Sequence, residues 1–138
     1  MHSSHKNKAF ATLLAAVTGG IGLHRFYLLG RTDQWGWLHA ASVPVTIIFV
    51  TANIGQYGLF QAGALVLSVL IGFIEALVFG LTPDDEWDRI YNAQSGKGSH
   101  SGWPVVLLLV LTLGLGASAL TATLARSFDL LFTGGAFG

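Results

Sequence analysis

The chain has 138 residues, of which 52% are hydrophobic and only 10% charged, with a mean hydropathy of +0.61, whereas soluble domains carry about 25% charged residues. Seven cations and seven anions cannot clothe a soluble core of this size, and a net charge of zero offers no basic face for nucleic acid. The absence of cysteine excludes a disulfide framework, Cys-type zinc sites, iron–sulfur clusters and thiol catalysis. Eighteen glycines without a Gly-X-Y period suit closely packed membrane helices better than collagen or a disordered chain.

Residues 1–8 are a polar N-terminal segment. Residues 9–29 (AFATLLAAVTGGIGLHRFYLL) are long enough to cross a hydrocarbon core, which takes roughly 20 apolar residues, with His24 and Arg25 near the end where Arg can snorkel to the headgroups. A secretory signal is the competing reading, because Lys6 and Lys8 precede the apolar run; AAVTGG, however, lacks a clean A-x-A site, and the apolar character continues through Leu29. Residues 30–34 form a tight turn. The second span covers residues 35–54, uncharged but kinked by Pro44, and residues 55–58 turn into a third span at 59–81, whose single charge is Glu75.

In the polar connection 82–102, Thr82, Pro83, Asp84, Asp85 and Glu86 have the pattern of a helix start and predict a short helix over 83–93. Trp87, Ile90 and Tyr91 then share a face expected to lie on the membrane interface. Residues 94–102 are Gly/Ser-rich and read as a flexible linker. Residues 103–125 make a fourth, uncharged span, and 126–138 a short C-terminal tail. Trp35, Trp37, Tyr57, Trp87, Tyr91 and Trp103 fall at or near span ends, as an aromatic belt requires. The positive-inside count is tied at three cations a side; Lys6 and Lys8 beside the first span favour a cytoplasmic N-terminus.

Helices in lipid associate through small residues and shared polar groups. Ser68, Gly72, Ala76 and Gly80 recur every four residues on the third span, and Thr12, Ala16 and Gly20 do so on the first. On the fourth, Thr112 with Gly116 and Gly114 with Ser118 can serve the same bundle or a neighbouring copy.

Glu75 is the most informative residue, because an intramembrane carboxylate is expensive unless paired or neutralised. Three roles compete: a partner for Arg25 or His24, a protonated hydrogen-bonding group, or the lining of an ion or proton path. His39, one turn into the second span, fits an interhelical hydrogen bond better than a ligand role. His2, His5 and His100 lie in terminal or linker segments, and Ser42, Ser68 and Ser118 read as packing residues. No His/Asp/Glu set has metal-ligand spacing, so no metal site is expected, and no nucleophile–base pair, P-loop or dinucleotide fingerprint is present. No catalytic residue and no cofactor is therefore expected.

The succession Lys6-x-Lys8, GGIGLHRFYLLGR (residues 19–31), Glu75 and TPDDEWDRIYN (residues 82–92) resembles the TM2 domain family. His24, Arg25, Phe26, Tyr27 and Gly30 carry most of the likeness; Asp85, Trp87, Arg89, Tyr91 and Asn92 add to it. The resemblance implies a small integral membrane protein without established enzymatic activity. This chain departs from the pattern in three ways: 47 residues from Trp35 to Leu81 suffice for two spans, Glu75 stands where Asp is common, and the fourth span lies outside the likeness.

The expected fold is thus an all-α, up-and-down bundle of about four transmembrane helices with a short interfacial helix. The expected function is that of a non-enzymatic, multi-pass protein of the bacterial inner membrane, acting by helix packing with itself or a partner membrane protein. The alternative is a homo-oligomeric channel or transporter with Glu75 facing the pathway. Beyond the lipid bilayer, the expected partners are a second copy or another membrane protein.

Overall fold

The computed structural model describes residues 5–137, and every regular element among them is helical. Helix α1 (Lys8–Thr18) begins where the Asn7 side chain accepts a hydrogen bond from the Phe10 N–H at 2.9 Å. It passes into a 3-10 turn (Gly19–Ile21) and stops at Gly22, so the continuous span expected over 9–29 is divided; α2 (Leu23–Leu29) follows as a separate helix. The cause is local. Gly22 has φ +76°, which L side chains rarely adopt, and a Cβ there would lie 2.7 Å from the Gly36 carbonyl oxygen.

Helix α3 (Gln34–Thr51) is capped by Asp33, whose carboxylate accepts from the Gly36 N–H at 2.7 Å, and carries Pro44 in its interior. A single helical turn, α4 (Gly58–Gln61), precedes α5 (Gly63–Leu81), so the apolar run at 59–81 is divided at Ala62. Helix α6 (Asp84–Tyr91) is shorter at both ends than expected, with Pro83 as its N-cap and Asn92 as its C-cap.

Helix α7 (Trp103–Thr133) differs most from expectation. It runs eight residues beyond 125 and takes up most of the segment read as a tail. Arg126 and Asp129, which look like a polar stop in the sequence, pair one turn apart on the helix, while Leu130 is buried. Its length is about 46 Å at 1.5 Å per residue, more than a hydrocarbon core of about 30 Å. Helices α5 and α7 are long and apolar enough to cross a membrane.

Helix α5 is the centre of the packing, in contact with α1 and its 3-10 extension, with α3 and with α7. Ser68, Gly72, Ala76 and Gly80 are all buried on it. At the tightest point a Cβ on Gly72 would stand 2.5 Å from the Gly19 Cα, so the two backbones touch. The facing surface of the first segment is built from Ala11, Thr12, Ala15, Gly19 and Gly20, so Thr12 and Gly20 of the expected Thr12, Ala16, Gly20 series lie on it, while Ala16 is only partly buried at its edge. On the other flank, Gly80 faces Leu109 and Gly116 faces Phe73 of the opposite helix.

The N-terminal segment straps α6 against this core. Lys6 N donates to Asn92 Oδ1 at 2.6 Å, while Asn92 Nδ2 and Trp87 Nε1 both donate to the Lys6 carbonyl, at 3.1 and 3.0 Å. Trp87 is wholly buried and Tyr91 packs beside it with its ring tilted by 47°, ring centroids 4.4 Å apart, and both rings lie near Phe79. The aromatic face expected on the membrane interface is turned into the protein; only Ile90 stays exposed. The 94–102 segment read as a flexible linker is pinned to α6, because Ser99 and Ser101 donate to Asp88 and Asp84 through backbone and side chain alike. Burial works against the charge of Asp84, yet hydrogen bonds from Lys8 and Ser101 outweigh it and hold that carboxyl at about 2.

Candidate functional site

A polar cluster occupies the junction of α2, α3 and α5. The break at Gly22 turns the start of α2 inward, burying His24 completely and leaving Arg25 18% exposed. Arg25 holds two carboxylates at once: its Nε donates to Asp33 Oδ2 at 2.7 Å, and its Nη1 makes a short hydrogen bond to Glu75 Oε1. The other oxygen of Glu75, Oε2, lies 2.7 Å from His24 Nε2 and 3.3 Å from His39 Nε2. Asp33 therefore caps α3 and anchors Arg25, and the Arg25 hydrogen bond, opposed by burial and aided by the Gly36 N–H, holds its carboxyl below the usual range.

A second layer fixes His39. Its Nδ1 is 2.6 Å from Ser68 Oγ, and Ser68 Oγ lies 2.9 Å from the Gly20 carbonyl, which also accepts from Ser42 at 3.1 Å. The serine's one hydrogen goes to the carbonyl, so His39 Nδ1 carries a proton and donates to Ser68. Ser42 and Ser68, read from the sequence as packing residues, thus also set the tautomer of a buried imidazole. Arg25, His24 and His39 all lie within reach of the Glu75 carboxylate.

A groove of about 480 Å³ opens between α3 and α5, with walls of Trp35, Leu38, Val45, Leu67 and Ile71, and Arg25, His39 and Glu75 at its polar end. Glu75 is 17% exposed there. The motif residues around the cluster have structural contacts of their own. Phe26 packs on the bare Cα face of Gly36 and edge-on to Trp37, with centroids 5.3 Å apart. Tyr27 Oη accepts from the Asn7 N–H at 2.9 Å, and its ring lies under Lys6. Gly30 ends α2 at φ +80°. Asp85 is exposed, and Arg89 pairs with Glu86 on the outer face of α6. His5 reaches Ser95 at 3.1 Å and His100 is exposed, and the two line a separate polar groove beside Lys8, Ser99 and Ser101; His2 lies outside the described residues.

The sequence missed the convergence of His39 with His24 and Glu75. They stand 15 and 36 residues apart along the chain, and no local spacing relates them. The available signal was the position of each, a titratable side chain within an otherwise apolar segment.

No family model and no solved structure matches the chain. A relative named "Uncharacterized membrane protein YozV", from Bacillus subtilis (strain 168), is 35% identical over 89 residues, which cover 64% of this chain and 85% of that protein. With two helices apolar enough to cross a bilayer and large hydrophobic side chains exposed along them, the similarity identifies a membrane protein: the chain belongs to the family of YozV.

Proposed function

We propose that the protein is a TM2-type, four-crossing integral protein of the bacterial inner membrane, without catalytic activity, that works by helix contact with a second copy or a partner membrane protein. The crossings are α1 with α2, α3, α4 with α5, and α7. The observation that carries the contact role is on α7. Its inner small residues are used within the chain, Thr112 being buried and Gly116 facing Phe73, whereas Gly114 meets nothing within 4 Å. Gly114, Ser118 and Ala122 are exposed at four-residue intervals, a small-residue face of the kind on which membrane helices associate. Two copies carrying different tags, coexpressed and extracted in mild detergent, test this. Co-purification of the two that Ser118→Trp abolishes is expected; recovery of single copies only, or co-purification unchanged by the tryptophan, contradicts self-association.

A second reading rests on the groove, which brings Glu75 and His39 to an opening in the side of the chain. In an oligomer that closes this opening into a passage, Glu75 faces the pathway of an ion or small solute. Flux into liposomes, abolished by Glu75→Gln, supports this reading, and liposomes as tight as protein-free ones remove it.

A further inference from the structure

We infer that His24, His39 and Glu75 form a binding site for a divalent first-row transition ion of the zinc type. Their donor atoms, one from each of three helices, all lie within 4.8 Å of one another. Two imidazoles with one carboxylate is a recognised donor set for such ions, and three protein ligands leave room for a water or an exogenous group.

Hydrogen-bond accounting favours a cation at this point. His39 donates through Nδ1 to Ser68, so the neutral ring turns the lone pair of Nε2 toward Glu75 Oε2, 3.3 Å away, and two acceptors face each other with nothing positive between them. His24 Nδ1 is buried without a hydrogen-bond partner, and Nε2, 2.7 Å from Glu75 Oε2, holds the ring's proton when no ion is bound; an ion bound there takes that proton's place while the ring's proton moves to Nδ1 or leaves. The formal charges agree. With both imidazoles neutral, Arg25 is one cation set against the two anions Glu75 and Asp33, which leaves one negative charge for a bound cation to balance.

The supports of a metal site are in place. Ligating histidines donate their second N–H to a fixed acceptor, as His39 does to Ser68, and ligating carboxylates are held from behind, as Glu75 is by Arg25 through its other oxygen. The α3–α5 groove supplies an entry path to the ion's open position. On binding, the 2.7 Å His24–Glu75 contact widens to roughly 3.3 Å, the edge of a tetrahedron with bonds of about 2.0 Å.

The test uses the full chain in detergent, with His2, His5 and His100 replaced by alanine so that terminal and linker imidazoles do not contribute, and titrates Co²⁺ and then Zn²⁺ alone. One equivalent of Co²⁺ giving the intense visible bands of four-coordinate cobalt, displaced by Zn²⁺, is expected. Ser68→Ala keeps all three ligands and is expected to weaken Zn²⁺ binding by roughly tenfold, while His39→Ala and Glu75→Gln abolish the cobalt bands. The absence of saturable Co²⁺ binding in the background protein overturns the proposal, as it would if the groups share only a proton. Binding that is unchanged in folded His39→Ala and Glu75→Gln variants also overturns it. Because the background protein alone can refute the site, misfolding of a ligand variant does not protect it.

Discussion

Replacing Arg25 by methionine keeps most of the side chain's length and removes its charge, which strands Glu75 and Asp33 beside each other at the α2–α3–α5 junction. Arg25 makes charge-assisted hydrogen bonds to both carboxylates, and the three side chains are between 11% and 18% exposed. Charge-assisted bonds each contribute about 1.5–3 kcal/mol, and removing one partner of a buried pair costs about 3–5 kcal/mol because the other charge is left uncompensated. The residual exposure and the two imidazoles on Glu75 relieve part of this, so Arg25→Met is expected to destabilise the protein by about 3 kcal/mol. Glu75→Gln removes one anion and leaves Arg25 with Asp33, costing about 1–2 kcal/mol. In the double variant the stranded Glu75 is absent, so its cost falls short of the sum by at least about 1 kcal/mol. Reversible unfolding of the four proteins in mixed micelles, followed by tryptophan fluorescence, measures the cycle. Costs that add within about 0.4 kcal/mol would refute the claim that Arg25 acts through Glu75.

Gly72→Ala forces a methyl group against the Gly19 backbone, where no side chain can give way; a loss of about 1–3 kcal/mol is expected in the same unfolding assay, and Gly114→Ala, in open space, is expected to change stability little. Trp87→Ala empties a fully buried site between Phe79, Tyr91 and the Lys6 carbonyl and is expected to cost about 3–5 kcal/mol, with residues 5–8 becoming open to limited proteolysis. Asp84 titrates at about 2 in the folded protein against 3.8 in the free carboxyl. A depressed acid contributes stability that is present above the unfolded pKa and is lost as pH falls through the folded one, so this contribution disappears between pH 4 and 2. Screening at a part-exposed pair limits it to about 1 kcal/mol, and Asp84→Asn is expected to remove the difference between pH 5 and pH 2 that this pair supplies.

The helices were legible because apolar runs of membrane length leave little choice, and Glu75 stood out because it is the one carboxylate in such a run, well inside the third span, whereas Arg25 sits near a span end. Where the helices break was less legible. Gly22 is one glycine among several in VTGGIGLH, and only the approach of Gly36 and His39 from α3 shows why it must take a left-handed conformation. The end of α7 was misplaced for the opposite reason: Arg126 and Asp129 have the look of a boundary in sequence, but on a helix they neutralise each other. Trp87 and Tyr91 were read as interfacial because an amphipathic octamer beside a membrane span has that pattern; the strap formed by Lys6 and Asn92, 86 residues apart, covers them instead. The polar cluster was half visible. Arg25 and Glu75 called for each other on energetic grounds, whereas the placing of His39 depends on the Ser68 and Gly20 contacts between helices.

The proposed contact role requires that the Gly114–Ser118–Ala122 face of α7 meet a helix from outside the single chain. The chain has no cysteine, so a single Ser118→Cys substitution allows disulfide cross-linking in intact membranes to be read without background. A cross-linked species of twice the chain's mass, or of the chain plus a membrane partner, is expected at Ser118→Cys but not at Thr112→Cys, which lies inside the bundle. Uncross-linked single chains at Ser118→Cys, or equal cross-linking at both positions, would contradict that role.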